Sequence, residues 1–490
     1  MKKLYIFGIG GTGVRVIKSL TFLLASGVKF NDEFEIVPII FDPHIENENL
    51  KETITLLKIY EQIKRTTELK DGFFKTQIRT LRSVANTDNI PDSYAFRLGG
   101  SQHQRFRDFL QFDELSPESQ AFVKTLFSDE HLNTEMDVGF LGNPNMGSVV
   151  LNQFKKSKEF AAFTNNFSEG DRVFIISSIF GGTGAAGFPI ILKNIRRAAD
   201  STDVANKELL KNSPIGGLCM QPYFSVDADE NSTIQKADWM LKTKSAFDYY
   251  QKAVTRPEEP AINAMYYLAD TMGKSYKNDP GQDGQQNPAH MVEMIGALCI
   301  LDYADQPDEL LTTINGVPQE AYAKEFGLLN DVGQLSFKDF GSLTFGRIAR
   351  PLTQMFLFMK YMNEKLADSK DQSFNKSKPE LGTSFYNGVF MQNYLKRFFE
   401  MYGQWLHDLQ ENERGFRPFN LQADISECLN EFDSEKSFFG GKLNYTKYND
   451  MLNNHGGHKD VNYSKAEAKF TDIMHQATDE IIDKFFKAIN

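Results

Sequence analysis

Two glycine-rich stretches carry the residue types and spacing that could hold a phosphate. The first, Gly8-Ile9-Gly10-Gly11-Thr12-Gly13, follows the apolar run Leu4-Tyr5-Ile6-Phe7 and precedes residues 14–24. Val14, Ile17, Leu20 and Leu24 in that segment have helical spacing. Glycines there let the backbone approach an anion, and a helix start supplies free N–H groups and the positive end of a dipole. Gly8, Gly10 and Gly13 also fit the dinucleotide fingerprint, with Asp42 closing the next apolar run at 34–41. A plain tight turn is the competing role. The second stretch, Phe180-Gly181-Gly182-Thr183-Gly184-Ala185-Ala186-Gly187, again joins an apolar run to a helical pattern, placed at about 189–197. Thr183 offers a hydroxyl, and the amides of Gly182, Thr183, Gly184 and Ala185 can form an anion nest. Two such stretches suggest a phosphate tail gripped from two sides; glycines that only pack helix on sheet are the alternative.

Other residues could do chemistry. Gly142-Asn143-Pro144-Asn145-Met146-Gly147 is a turn cluster, and Asp227, Asp229 and Glu230 follow the apolar end Pro222-Tyr223-Phe224. Asn287 stands before Pro288, where it is either a base-pairing amide or a helix cap. Asp302, Asp305, Asp308 and Glu309 form an acidic stretch that reads equally as a solvated turn. His290 and Glu293, and His455 and His458, lack further ligands at metal-site spacing, so no metal site is expected.

These residues need elements to position them. Apolar run, glycines, helix and apolar run over 4–41 make a βαβ unit, which predicts an α/β fold with a Rossmann-like parallel sheet. Residues of about 46–135 read as a polar, helix-like insertion. Apolar runs at 172–179, 215–220 and 264–268 predict further strands. Residues 289–301 are apolar nearly all round, which predicts a central helix buried on every side. The Phe-rich remainder predicts a second α+β domain, with a loop at 438–457 and a helical tail at 466–489. The 490 residues exceed one typical domain. Apolar types at 41% and charged types at 24% exclude a disordered chain. Fifty-four basic against 65 acidic residues give a net charge of −11, which argues against direct nucleic-acid binding and anionic membranes. Three scattered cysteines form no disulfide or metal framework. With no apolar run long enough to span a bilayer and no signal peptide, the expectation is a cytoplasmic protein with no membrane span.

The order of the motifs resembles the tubulin/FtsZ superfamily. Residues 6–13 resemble its first nucleotide loop, and 142–147 resemble the third loop of the FtsZ branch. Residues 173–189 are similar to the G-G-G-T-G-[ST]-G strand and loop, 220–224 to the strand end before the ribose-contacting loop, and 287–301 to the central helix. The set spans residues 4–301. Phe180 stands in place of the first signature glycine, Asn145 in place of an acid, and the N-x-D-x-x-[DE] pattern after the central helix is absent. The resemblance implies a nucleotide-binding domain over 1–286, a central helix with an acidic loop over 287–310, and a C-terminal domain over 311–490. It implies GTP/GDP with Mg²⁺, held by Gly10, Gly11, Thr12, Gly13, Asp42, Asn143, Gly147, Gly181, Gly182, Thr183, Gly184, Ala185 and Asp227, with Asn287 on guanine. It further implies Asp305 and Asp308 as the acids that act on a neighbouring subunit's γ-phosphate, in a head-to-tail homopolymer whose C-terminal domain meets protein partners. Two other readings stand beside it: a nucleotide-dependent scaffold without hydrolysis, and a Rossmann NAD(P)-binding enzyme using Gly8, Gly10, Gly13 and Asp42.

Overall fold

In β1 (Lys2–Ile9) the side chains split by parity, as a strand buried on both faces requires. Leu4 and Ile6 enter one apolar core, and Tyr5, Phe7 and Ile9 enter another on the opposite face. The computed structural model describes all residues except 44–46, 97–103, 137–139, 141–142, 201–203, 227–235, 257, 272–274, 277–286, 327–332, 433, 436–440, 458–462 and 490. β1 pairs in parallel with β2 (Phe34–Phe41) and with β3 (Arg172–Ser178). β4 (Ile215–Met220), β5 (Ala264–Leu268) and β6 (Tyr322–Phe326) continue the sheet, in the order β6-β5-β4-β3-β1-β2. Every pairing is parallel, as the βαβ pattern predicts.

Helices cover both faces. α1 (Gly10–Ala25) and α2 (Glu48–Thr67) lie on the Leu4 side. α3 (Pro144–Leu151) and α4 (Gly182–Arg196) lie on the Phe7 side. α2 lies within the segment expected as an insertion, yet Leu56, Leu57, Tyr60 and Ile63 are buried in the same core as Leu4. Polar residues on its other face had masked that stripe. Beyond it the chain runs along β2, with bridges from Ile36 to Ile78 and from Ile40 to Ala95.

The central helix is α5 (Met291–Ala304), and all its residues but Leu298 and Asp302 are buried. It lies so close to the sheet that a Cβ on Gly296 would stand 2.8 Å from Leu218 Cδ2. Four further helices, α6 (Ser342–Glu364), α7 (Lys396–Glu411), α8 (Tyr445–Gly456) and α9 (Ala466–Phe485), share one apolar core with it. Trp405 on α7 donates through Nε1 to Ser19 Oγ of α1 at 3.2 Å, and its ring packs 5.1 Å from Phe22.

Two expectations are corrected here. The region after residue 311 is helical, not α+β: its longest strand, β6, joins the main sheet, and its other strands are two residues long among the described residues. The Phe-rich stretch of α6 is buried at every residue from 352 to 362, as a helix enclosed by its neighbours on all sides is. The loop expected at 438–457 contains α8, started by Asn444, whose side chain accepts from Lys447 N.

Candidate nucleotide-binding site

Because β1 and β3 are adjacent and parallel, the segments leaving their carboxyl ends emerge at one edge of the sheet. Each segment enters a helix almost at once. α1 begins at Gly10, and α4 begins at Gly182 with Pro189 inside it, whereas the sequence pattern had started them at 14 and 189. The glycines are therefore the first helical turns. Neither helix has a side-chain cap or an acid in its first turn, so among the described residues no carboxylate or hydroxyl answers their leading N–H groups. The two turns lie against each other: a Cβ built on Gly10, whose φ is +67°, would stand 3.7 Å from Thr183 Cβ and 3.8 Å from Gly184 N.

The third motif joins them. α3 packs on the start of α4, with Gly147 so close that a Cβ would stand 2.9 Å from Ala186 Cβ and 3.2 Å from Gly182 O. Asn143 caps α3, its Oδ1 accepting from Asn145 N at 3.0 Å and Met146 N at 3.3 Å. Asp42 follows β2 and is buried; Phe41 pairs with Ile9, which sets Asp42 beside Gly10. Thus Gly10, Gly11, Thr12, Gly13, Asp42, Asn143, Gly147, Gly181, Gly182, Thr183, Gly184 and Ala185 gather at one edge of the sheet. Asp227 and Gly142 lie outside the described residues.

The glycines divide by task. A Cβ on Gly13 would lie 2.6 Å from Gly8 C and 3.3 Å from Ile176 O, and one on Gly184 would lie 2.5 Å from Ser178 O. These two glycines let helix meet strand. Gly11 has only Arg15 Nη1 within reach, at 3.4 Å, so its face is open. Gly13→Ala is expected to lower unfolding free energy by about 1–3 kcal/mol, the cost of overpacking against backbone. Gly11→Ala is expected to change it by less than about 1 kcal/mol. Denaturant titration of the two variants checks the contrast.

The helix start at Asn287 is corrected as well. α5 begins at Met291 and is capped by His290, whose Nδ1 accepts from Val292 N at 3.2 Å while Glu293 Oε2 accepts from His290 N at 2.9 Å. Asn287 lies outside the helix and is half-buried. With the Asn49 amide oriented to match both groups, it donates to Asn287 O at 3.2 Å and accepts from Asn287 N at 3.1 Å.

Beneath the glycine turns lies a cluster that sequence reasoning missed. Arg15 Nε donates to Glu293 Oε1 at 2.5 Å, Arg15 Nη2 donates to the Tyr223 hydroxyl at 2.7 Å, and that hydroxyl donates to Glu293 Oε1 at 2.6 Å. The side chains of Arg15 and Glu293 are 6% and 1% exposed. Burial opposes the Arg15 charge, but Glu293 and then Tyr223 more than offset it and hold the guanidinium above its ordinary value. Burial also pushes the Tyr223 phenol up, so it stays a donor. The available signal was a charged residue, Glu293, in the otherwise apolar start of the central helix, and Arg15 among the apolar residues of the first helix.

The acidic stretch sits elsewhere. Asp308 Oδ1 accepts from Arg172 Nη2 at 2.5 Å and Asp308 Oδ2 lies 3.7 Å from Lys2 Nζ; those are the first residues of β3 and β1. Asp305 pairs with Arg347 of α6 and accepts from Asn31 N at 2.7 Å, in the turn before β2. The acids therefore occupy the amino edge of the sheet. The eight residues of β1 separate them from the glycine turns by about 25 Å. Burial draws the Asp308 carboxyl upward, but Arg172 and then Lys2 override it and hold it below the usual carboxylate range. Its side chain is 63% exposed, against 7% for Asp305. Asp302 lies one turn earlier, paired with Lys324 at 2.6 Å.

Among the described residues, no group of three His, Cys, Asp or Glu could hold a metal ion. His455 Nε2 lies 2.8 Å from Glu480, and His458 lies outside the described residues. No helix among the described residues is long and apolar enough to cross a membrane.

No protein-family model and no curated protein matches this chain. Among solved structures it is similar to CetZ from Methanosaeta thermophila strain DSM 6194, at 11% identity and a TM-score of 0.28, covering 55% of this chain and 46% of that one. It is also similar to CetZ2 from Haloferax volcanii, solved as a GTPgS bound protofilament, at 11% identity and a TM-score of 0.30, covering 62% of this chain and 58% of that one. The chain thus spans about half the length of these structures. At such TM-scores the likeness carries no argument about what this chain binds.

Proposed function

We propose that this chain is a tubulin-like GTP-binding protein that stacks head to tail and completes its hydrolytic site between copies. The carrying observation is the opposition of the two ends. Uncapped helix starts converge at the carboxyl edge of the sheet, and the exposed acid Asp308 with Glu309 lies at the amino edge. A nucleotide on the glycine turns is out of reach of the same chain's acids, but a second copy stacked in the same orientation brings its acids to it. The open face of Gly11 fits a phosphate tail, and the converging N–H groups answer its charge. Mg²⁺ would be carried on the phosphates, since the described residues offer no carboxylate cage. In this arrangement Asp308 or Glu309 orients the attacking water. Asp305, held by Arg347 and the Asn31 amide, positions the end of the central helix instead.

The ion pairs favour a second reading. Asp302, Asp305 and Asp308 each already pair with a cation, which suits a nucleotide-dependent scaffold that does not hydrolyse GTP. GTP turnover per subunit, followed against protein concentration with Mg²⁺ and with ATP and NAD(P)H as controls, separates these. Turnover that is negligible when dilute and rises steeply with concentration is the expected result. Tight GTP binding with flat, near-zero turnover would establish the scaffold, and NAD(P)H binding without GTP binding would return the glycine turns to a Rossmann role.

A further inference from the structure

The two glycine turns contain no cation: residues 8–13 and 180–187 hold no Lys, Arg or His. The first basic side chain after the α1 turn is Arg15, and its position is unusual. It is 6% exposed, two of its three nitrogens are committed to Glu293 and Tyr223, and a Cβ on the open face of Gly11 would lie 3.4 Å from the third, Nη1. Among the described residues Nη1 has no hydrogen-bond partner. A guanidinium donor that keeps an accessible, unanswered N–H on an otherwise buried side chain, beside an uncapped helix start, has one natural complement, an anionic oxygen.

We propose that Arg15 Nη1 is the cationic donor of the nucleotide site and binds a phosphate oxygen seated over Gly11. This rests on the nucleotide reading above. Glu293 and Tyr223 hold the fork by its other two nitrogens, so Nη1 is fixed before the ligand arrives and little side-chain entropy is lost on binding. Glu293 belongs to the first turn of the central helix, so the phosphate, Arg15 and that helix form one hydrogen-bonded chain. Arg15 would thus discriminate by phosphate, not by base.

The test compares fluorescent GTP, GDP and guanosine binding to wild type, Arg15→Lys and the double variant Arg15→Met/Glu293→Met. Thermal unfolding of each confirms that it is folded. The double variant removes the buried pair together, and Arg15→Lys serves if it fails to fold. GTP affinity is expected to fall about 10- to 100-fold in the double variant and about 10-fold in Arg15→Lys, with guanosine unchanged. Unchanged GTP affinity in either folded variant would overturn the assignment, as would equal losses for GTP and guanosine. If wild type binds none of the three, the nucleotide reading itself fails, and this is seen before any variant is compared.

Discussion

Two variants of this protein, each inactive alone, are expected to recover GTP turnover when mixed. In the first, Asp308→Asn with Glu309→Gln removes the exposed acids of the amino edge. Asp308 is more than half exposed, and Arg172 keeps its bonds to Tyr303 O at 3.2 Å and Ala304 O at 2.9 Å, so the fold is preserved. Loss of a water-orienting acid is expected to lower turnover by about 10²–10⁴-fold. In the second, Gly11→Asp sets a carboxylate on the open face of the α1 turn and repels phosphate. In an equal mixture, a copy with an intact nucleotide end meets a copy with an intact acidic end at roughly a quarter of random head-to-tail contacts. Turnover should rise toward about that fraction of wild type. If both sites lay in one chain, mixing could restore nothing. A mixture as inactive as its parents, while GTP still binds the first variant, would refute the shared site.

The largest effect on stability is expected at Glu293. Replacing it with Ala leaves Arg15 charged, nearly fully buried and without its anion, which costs about 3–5 kcal/mol. It also deprives the Tyr223 hydroxyl of its acceptor and His290 N of its capping partner. The double replacement of Arg15 and Glu293 by Met is expected to recover most of that loss, because two apolar side chains replace a charge pair in the same space. Guanidinium denaturation of the two variants reads this as a coupling energy. Equal losses in the single and double variants would mean that the charges are not coupled, and that the cost comes from packing alone.

Local pattern alone determined a good deal of this molecule. Continuous apolar runs predict β1 to β5, and runs without alternation predict a parallel sheet covered on both faces. The near-continuous apolar run over 289–301, broken only by His290 and Glu293 among polar types, predicts a helix buried on all sides, as α5 is. The glycine turns were legible because a backbone approaching an anion, or a helix meeting a strand, has no room for Cβ. Which glycine does which was not legible: Gly13 and Gly184 face backbone, Gly11 faces space, and only the packing tells them apart.

Other features were decided by contacts between residues far apart in the chain. The strand signal at 322–326 is short, and it became the sheet's edge by pairing in parallel with β5, which lies 58 residues earlier in the chain. The Phe-rich segments became helices because α1 and α5 presented an apolar surface for a helical stripe to cover. Helix starts moved onto the glycines because the turn geometry there, with Gly10 at φ +67°, carries the chain directly from strand into helix. Arg15, Glu293 and Tyr223 are separated by up to 278 residues, and no local signal links an arginine in the first helix to a glutamate in the central one. Sequence patterning senses burial, period and backbone freedom, which are properties of neighbours. The pairing of charges in a core depends on which surfaces meet, and that is settled only when the whole chain has folded.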